Sequence, residues 1–260
     1  MASRKRIIIS LFVICILAGG GWAATHFGRA YCLQREVSKA DEESKKGFWA
    51  LAYDRLEPYR KQLTSNEKDC NLLLNTFANA KKGERLEWAA QACLESKIET
   101  FGVYLSIAIA HELQGHDQDA VRILNEVSAK FDKEPTALLR MANIFIRNKD
   151  EPKAAEAMLQ AANRTEDPQV RLDTIPPLLR QKRVAEALKL AIPLREIPTE
   201  NPEVRLIVAR ALIAGHEPSG GVKQINEARF LMMKLSPERK AQLENDYADV
   251  LKSGGKAISM

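Results

Sequence analysis

The sequence predicts an all-α protein built from stacked helical hairpins, and three observations support this fold class. Four prolines recur at intervals of 33, 34 and 35 residues, at Pro135, Pro168, Pro202 and Pro237. The long segments between the polar links carry apolar residues three and four positions apart, which is the spacing of one helix face. The sequence lacks alternating apolar runs flanked by β-hairpin turns. A repeat of this length predicts an α-solenoid, in which each helix pair packs on the next.

The recurrent prolines predict where helices begin. Proline suits the first helical turn because its missing N–H would have no partner there and its ring fixes a helical φ. Asp167, Asn201 and Ser236 each directly precede one of these prolines. Side chains of this kind accept hydrogen bonds from the N–H groups of the first turn. We therefore expect a capped helix start at each of the three residues.

A second repeating pattern lies in the turn between the two helices of each hairpin. Gly115 is followed five residues later by Ala120, and Gly47 by Ala52. The pairing recurs with Lys149 and Ala154, Lys182 and Ala187, and Gly215 and Gly220. A glycine or polar residue suits the end of the first helix, and a small residue lets the second helix approach it closely. Gly83 fits less well, because the bulky Trp88 follows it.

This pattern resembles the tetratricopeptide repeat (TPR), a 34-residue helix–turn–helix unit with small residues where its two helices cross. The best copy covers residues 101–134 and places Tyr104, Ile107, Ala108, Gly115, Ala120 and Leu124 at the family's positions. The next copy places Leu138, Met141, Ala142, Phe145, Ala154 and Met158 there. The resemblance implies an α-solenoid of about six TPR-like hairpins across residues 28–252.

The expected hairpins lie near residues 28–62, 67–97, 101–131, 135–163, 168–197 and 202–235. A closing helix is expected over residues 237–252, where four apolar side chains would cover the end of the array: Leu243, Tyr247, Val250 and Leu251. Such a closing helix, with a polar outer face, is typical of the ends of repeat proteins. Residues 253–260 are expected to form a flexible tail.

The N-terminus differs in composition from the rest of the chain. Residues 7–24 contain no charged side chain and follow the basic cluster Arg4, Lys5 and Arg6. This pattern predicts a transmembrane helix over residues 7–25, with residues 1–6 in the cytoplasm and the repeats in the periplasm. The expected protein is a single-pass protein of a bacterial inner membrane. The alternative is a cleaved signal peptide, which would leave a secreted soluble repeat protein.

The charge of the repeat region is nearly balanced. The chain has 39 Lys plus Arg and 34 Asp plus Glu, and three of the basic residues lie among the first six. The remainder holds 36 basic and 34 acidic residues. Nucleic-acid binding depends on a concentrated basic surface, so no nucleic-acid partner is expected.

The cysteines predict one disulfide. Cys70 and Cys93 lie at matching distances from the turn of one hairpin, so antiparallel packing would set them level. That placement could meet the Cα separation of about 4.4–6.8 Å that a disulfide requires. The alternative is a pair of buried thiols, which behave as small apolar groups. Cys32 would then remain unpaired.

No catalytic or cofactor motif occurs, so neither enzymatic activity, nor catalytic residues, nor a cofactor is expected. Four histidines are present, His26, His111, His116 and His216. His111 and His116 lie five residues apart across a helix end and so do not share the i, i+4 face of a helical zinc pair. We therefore expect no metal site.

The TPR resemblance implies a partner-binding groove lined by the first helix of each hairpin. By position its residues are Leu105, Ile109, Glu112, Leu139, Asn143, Ile146, Leu172, Leu179 and Arg205. The family's carboxylate clamp has a lysine one turn before an asparagine, whereas Leu139 precedes Asn143 here. The apolar character favours an amphipathic helix or an extended apolar segment as partner. The alternative is that these leucines only pack neighbouring repeats.

These predictions give a protein-binding scaffold or assembly factor, anchored in a membrane and facing the periplasm, for an envelope complex. Its partners would be proteins and, through the N-terminal helix, the membrane. A second hypothesis is a permanent structural subunit of an envelope machine such as a motor, pilus or secretion system. In that case the array would pack against copies of itself, so a homo-oligomer is compatible with the sequence.

Overall fold

The computed structural model describes residues 31–256, with side chains as far as Lys252, and all regular structure in this range is helical. The predicted transmembrane segment, residues 7–25, lies outside the described residues. Between residues 31 and 256, no helix combines the length and the apolar character needed to cross a membrane. This finding contradicts the predicted localisation as a single-pass inner-membrane protein with a periplasmic repeat domain.

The helices follow one another along the chain as antiparallel pairs joined by short turns. Two short 3₁₀ segments, Glu57–Tyr59 and Ile192–Leu194, extend the second arms of the first and fifth pairs. The helices are α1 (31–45), α2 (Trp49–Leu56), α3 (Arg60–Leu63), α4 (Glu67–Asn79), α5 (Gly83–Glu95), α6 (Phe101–Leu113), α7 (Asp117–Lys130), α8 (Thr136–Arg147), α9 (Glu151–Arg164), α10 (Pro168–Arg180), α11 (Val184–Ala191), α12 (Pro202–Ala214), α13 (Pro218–Met232), α14 (Pro237–Asp246) and α15 (Ala248–Lys256).

The chain forms two compact units, the first ending at Ile123 and the second beginning at Leu124, within α7. The core of the first unit is built from fully buried side chains of successive helices, among them Leu56, Phe77 and Leu86. The ring of Tyr53 packs against Phe77 with the ring centroids 5.0 Å apart. Burial of such large side chains supplies most of the stability of helices this short.

The second unit buries one cluster between α10, α11 and α12 and another around the C-terminal helices. In the C-terminal cluster Leu243, Tyr247 and Val250 are buried, and Leu251 packs against them while half-buried. The closing segment is nevertheless two helices, because the chain leaves helical geometry at Tyr247 (φ −121°, ψ 25°). The Tyr247 ring lies 4.7 Å from the guanidinium of Arg210, and its hydroxyl donates to Glu203 Oε1 at 3.3 Å.

The three predicted helix caps are confirmed. The side chains of Asp167, Asn201 and Ser236 accept from a backbone N–H two or three residues later, at 2.8, 3.0 and 3.4 Å. Pro135 differs from the other repeat prolines, since it occupies the cap position itself and α8 begins at Thr136. Helix starts were predictable because a cap depends only on neighbouring residues.

The turn inside each hairpin contains one residue with positive φ, and these residues recur at intervals of 34, 34, 34, 33 and 34. They are Gly47, Lys81, Gly115, Lys149, Lys182 and His216. The N–H that follows each of them donates to the carbonyl five residues before that N–H, at 2.8–3.0 Å. This is the Schellman geometry that closes a helix with a left-handed residue. Two predicted turn positions are therefore corrected: Lys81 replaces Gly83, and His216 replaces Gly215.

The shifted turn also changes which glycine allows close helix approach in α13. A Cβ added at Gly221 would lie 2.5 Å from Ile213 Cγ1, whereas at Gly220 the nearest atom, Leu212 Cδ1, would be 3.5 Å away. Gly221, and not the predicted Gly220, is thus the position at which α13 crosses α12 without room for a side chain.

Candidate functional site

The predicted partner-binding residues lie on the first helices of successive hairpins. Leu105, Ile109 and Glu112 belong to α6 in the first unit, and all three are half-buried. The other six lie on α8, α10 and α12 in the second unit.

Helix α8 carries the most accessible part of the predicted surface. Leu139 is half-buried, Asn143 is exposed, and Ile146 has 53% of its surface exposed. These residues stand at positions i, i+4 and i+7, so they share one helix face. The opposite face buries Leu138 and Met141. Helix α8 therefore packs on one side and leaves an apolar stripe on the other.

Helices α10 and α12 contribute less surface than the sequence suggested. Leu172 is only 6% exposed and belongs to the core cluster, against which Leu179 packs while half-buried. At these two positions the leucines do pack neighbouring helices, which was the alternative interpretation of the pattern. Leu179 retains the accessible edge on α10.

Arg205 serves the interior of the second unit. It is 8% exposed, and its Nη1 donates to the carbonyl of Arg195 at 2.6 Å and to Gln224 Oε1 at 3.0 Å. Its Nη2 donates to the carbonyl of Ile197 at 2.9 Å, and its Nε lies 3.1 Å from Glu227 Oε2. The guanidinium thus holds the link before α12 against α13, and no donor is directed towards a partner.

A groove in the first unit was missed by the sequence reasoning. It lies between α1 and α4, the first helices of two neighbouring hairpins, and is lined partly by Val37, Asp41, Lys68 and Leu72. Its lining also includes Asn71 and Asn75, which stand 34 residues before Leu105 and Ile109. Counting 34 residues back from the predicted positions on α6 would have located this groove. Its surface is more polar than that of α8.

A second apolar surface lies at the end of α13 and was also missed. Phe230 and Met233 are 58% and 68% exposed and line a groove of about 580 Å³ together with Lys240 and Glu244. The run Phe230-Leu231-Met232-Met233 could have indicated it. Four consecutive apolar residues point to more than one side of a helix, so one helix face cannot bury them all.

The predicted cysteine pair lies at bonding distance. Cys70 on α4 and Cys93 on α5 are fully buried, with their sulfur atoms 2.05 Å apart and their Cα atoms 6.4 Å apart. The Cα separation falls within the range that a disulfide needs. Cys32 is free and exposed.

His111 and His116 lie close together across the end of α6, with ring centroids 6.1 Å apart, and Asp119 joins them. The i, i+4 rule applies within one helix, whereas the left-handed Gly115 turns the chain back between these two histidines.

No known protein family matches the chain, and no curated protein sequence matches it either. Comparison with solved structures does find similar chains. PilF of Pseudomonas aeruginosa is 14% identical, with a TM-score of 0.52 over 84% of this chain and 99% of that one. TTC0263, a thermophilic TPR protein of Thermus thermophilus, is 16% identical, with a TM-score of 0.46 over 70% of this chain and 99% of that one. MamA AMB-1 is 13% identical, with a TM-score of 0.48 over 70% and 96%.

These comparisons indicate no catalytic family. At 14% identity, the similarity to PilF shows the fold alone. The fold also follows from the helical pairs and from the turns that recur every 33 or 34 residues. The chain is therefore an all-α helical repeat protein of TPR-like architecture.

Proposed function

We propose that this protein is a protein-binding scaffold or assembly factor, and that a segment of its partner docks on the exposed face of α8 and the neighbouring edge of α10. The observation that carries the proposal is the uncovered stripe of Leu139, Asn143 and Ile146. A helical repeat array has regular convex and concave surfaces, and its neighbouring first helices form an extended surface suited to another chain.

The chemistry of the stripe favours an amphipathic helix or an extended apolar segment. Ile146 and Leu139 offer apolar surface that a partner would remove from water, worth roughly 25 cal/mol per Å² buried. Asn143, between them, can donate and accept hydrogen bonds with a partner backbone. With Leu139 at the position where the family's carboxylate clamp has a lysine, this face lacks that clamp for a free C-terminal carboxylate.

The test is photocrosslinking in the cells that make the protein, with a benzophenone amino acid placed at one surface position at a time. Asn143 reports the proposed face, Asn226 reports the groove beside Phe230, and Gln160 on α9 is the matched exposed control. Adducts are identified by mass spectrometry. We expect one protein to be recovered from Asn143 and not from Gln160.

A second measurement uses the recovered partner. The substitution Ile146→Glu places a charge in the apolar stripe and should weaken binding at least tenfold, whereas Gln160→Glu should leave it unchanged. Circular dichroism checks that both variants retain their helices. Adducts from Asn226 alone, or equal binding by Ile146→Glu and the parent, would show that this face is not the docking surface.

A further inference from the structure

We propose that His111, His116 and Asp119 form a binding site for a divalent transition-metal ion, with Zn²⁺ the ion that fits the donors best. Each side chain offers one ligand atom, and these atoms lie within 4.8 Å of one another. Two imidazoles and one carboxylate are donors that zinc accepts, and three protein ligands leave a fourth position for water. This inference is independent of the proposed docking function.

The turn between α6 and α7 brings the two histidines together. Gly115 is left-handed, with φ +79°, and the N–H of His116 donates to the carbonyl of His111 at 2.9 Å. In this turn geometry the side chains five residues apart come into contact across the helix end. The backbone thus holds the two rings near each other before any ion binds.

The start of α7 supplies the third ligand. The carbonyl of His116 accepts from the N–H of Ala120 at 3.0 Å, so His116 precedes the first turn of the helix. Asp119 follows three residues later and therefore lies over the same side of that turn. Its Oδ1 is 3.8 Å from Arg122 Nη2 across an exposed ion pair. Such a pair contributes only about 0–1 kcal/mol, so it competes weakly with a metal ion.

The surroundings of His111 fit a metal ligand. Its Nε2 lies 3.8 Å from Glu87 Oε1, and Gln114 donates to the other oxygen of Glu87 at 2.9 Å. Its Nδ1 is shielded from water and has no hydrogen-bond partner within residues 31–252. A metal ion would satisfy that nitrogen, while the carboxylate beside Nε2 would orient the ring, as such carboxylates do in other metal sites.

Small side-chain movements complete the site. With metal–ligand bonds of about 2.0–2.2 Å, tetrahedral ligands stand roughly 3.3–3.5 Å apart, so the ligand atoms must approach one another by at most about 1.5 Å. His116 and Asp119 are exposed and can rotate, whereas His111 is half-buried. A bound ion would then tie the end of α6 to the start of α7.

Among the six equivalent turns between residues 31 and 256, only this one carries the histidine pair. The other five place Glu43 and Phe48, Phe77 and Lys82, Phe145 and Asp150, Leu178 and Arg183, and Leu212 and Glu217 at the positions of His111 and His116. The same backbone therefore occurs without a histidine pair, and the residues of this turn, not its fold, define the site.

The experiment is calorimetric titration of the full chain with ZnCl₂ after its free thiols have been blocked with iodoacetamide. His116→Asn is the main variant, since asparagine is well accepted before a helix and leaves the turn intact. Asp119→Asn removes the carboxylate charge, and His216→Asn alters a histidine in another turn as the control. Circular dichroism confirms the fold of each variant.

We expect one Zn²⁺ to bind per chain. His116→Asn should weaken binding at least about tenfold, because in other sites even residues behind the ligands are worth about 10–100-fold. Asp119→Asn should weaken it too, and His216→Asn should bind like the parent. Co²⁺ in place of Zn²⁺ should give visible absorption bands that His116→Asn loses. No Zn²⁺ binding by the parent, or equal affinity in the parent and His116→Asn, would overturn the proposal.

Discussion

Adding one methyl group to α13 should have opposite effects at two adjacent residues. At Gly221 a Cβ would lie 2.5 Å from Ile213 Cγ1, 3.2 Å from Ile213 Cδ1 and 3.4 Å from the carbonyl oxygen of Ala209. Non-bonded carbon atoms prefer about 3.5–4.0 Å. The Cγ1 atom stands next to the helix backbone, so either the whole Ile213 side chain rotates or α13 moves away from α12. At Gly220 the nearest atom would be in ordinary contact, at 3.5 Å.

The magnitudes follow from two opposing effects. Overpacking of a closely packed region costs about 1–3 kcal/mol. Replacing glycine by alanine inside a helix gains roughly 0.5–1 kcal/mol through backbone entropy. Gly221→Ala should therefore lower the free energy of unfolding by up to about 2.5 kcal/mol. Gly220→Ala should raise it by up to about 1 kcal/mol, and its place in the first turn of α13 limits this gain.

Urea unfolding followed by circular dichroism measures both variants, each compared with the parent. Repeat arrays can unfold in more than one step, so hydrogen exchange of the α12 and α13 amides provides the local measurement. The double variant Gly221→Ala/Ile213→Ala lacks the obstructing side chain. In the Ile213→Ala background, Gly221→Ala should therefore cost less stability than it costs in the parent. If Gly221→Ala is as stable as Gly220→Ala, the assignment of Gly221 as the close-contact position is refuted.

Three further predictions concern single side chains or pairs. Arg205→Ala should lower the unfolding free energy by about 1–3 kcal/mol in urea titrations, since it leaves the buried Gln224 and two backbone carbonyls without their donor. The exposed Arg239→Ala should cost at most about 1 kcal/mol, and equal losses would contradict the buried role. Non-reducing peptide mapping should recover Cys70 joined to Cys93, and reduction should cost about 3 kcal/mol; alkylation of both thiols without reductant would reject the pair. Burial, and then the charge of Glu203, raises the pKa of Tyr247 from 10.0 to about 12. The stability that Tyr247 confers is therefore complete below pH 10 and falls as the pH rises towards 12. A Tyr247→Phe variant that lost stability equally over this pH range would refute the assignment.

Much of the fold could be predicted because it depends on local interactions. A cap such as Asp167 needs only an acceptor side chain and the N–H groups that follow it. The repeat period was visible in the prolines, and it placed Cys70 level with Cys93 because two antiparallel helices of known length fix which residues face each other. All regular structure between residues 31 and 256 is helical, as the repeat pattern predicted.

The candidate surfaces were less predictable, because exposure depends on what packs from outside the helix. Leu139 and Leu172 hold equivalent repeat positions, yet Leu139 keeps an accessible surface and Leu172 is buried in the core cluster. Arg205, predicted for the same surface one repeat later, binds the carbonyls of a neighbouring link. The turn at His216 shows that the equivalent position belongs to Leu206, which is buried, so Arg205 is one residue out of register. The periodicity does not distinguish the environments of Leu139 and Leu172, since the neighbouring hairpins create them.

The sequence alone therefore determined that this protein is a helical repeat array, that helices begin after Asp167, Asn201 and Ser236, and which cysteines face each other. The tertiary structure decided which residue turns left-handed in the second and sixth hairpins, where it selected Lys81 over Gly83 and His216 over the neighbouring Gly215. A glycine tolerates that conformation, but the closure of the helix end and the packing of α13 on α12 determine where it falls. The same backbone turn placed His111 beside His116, because a reversal of the chain joins residues that helical periodicity keeps apart.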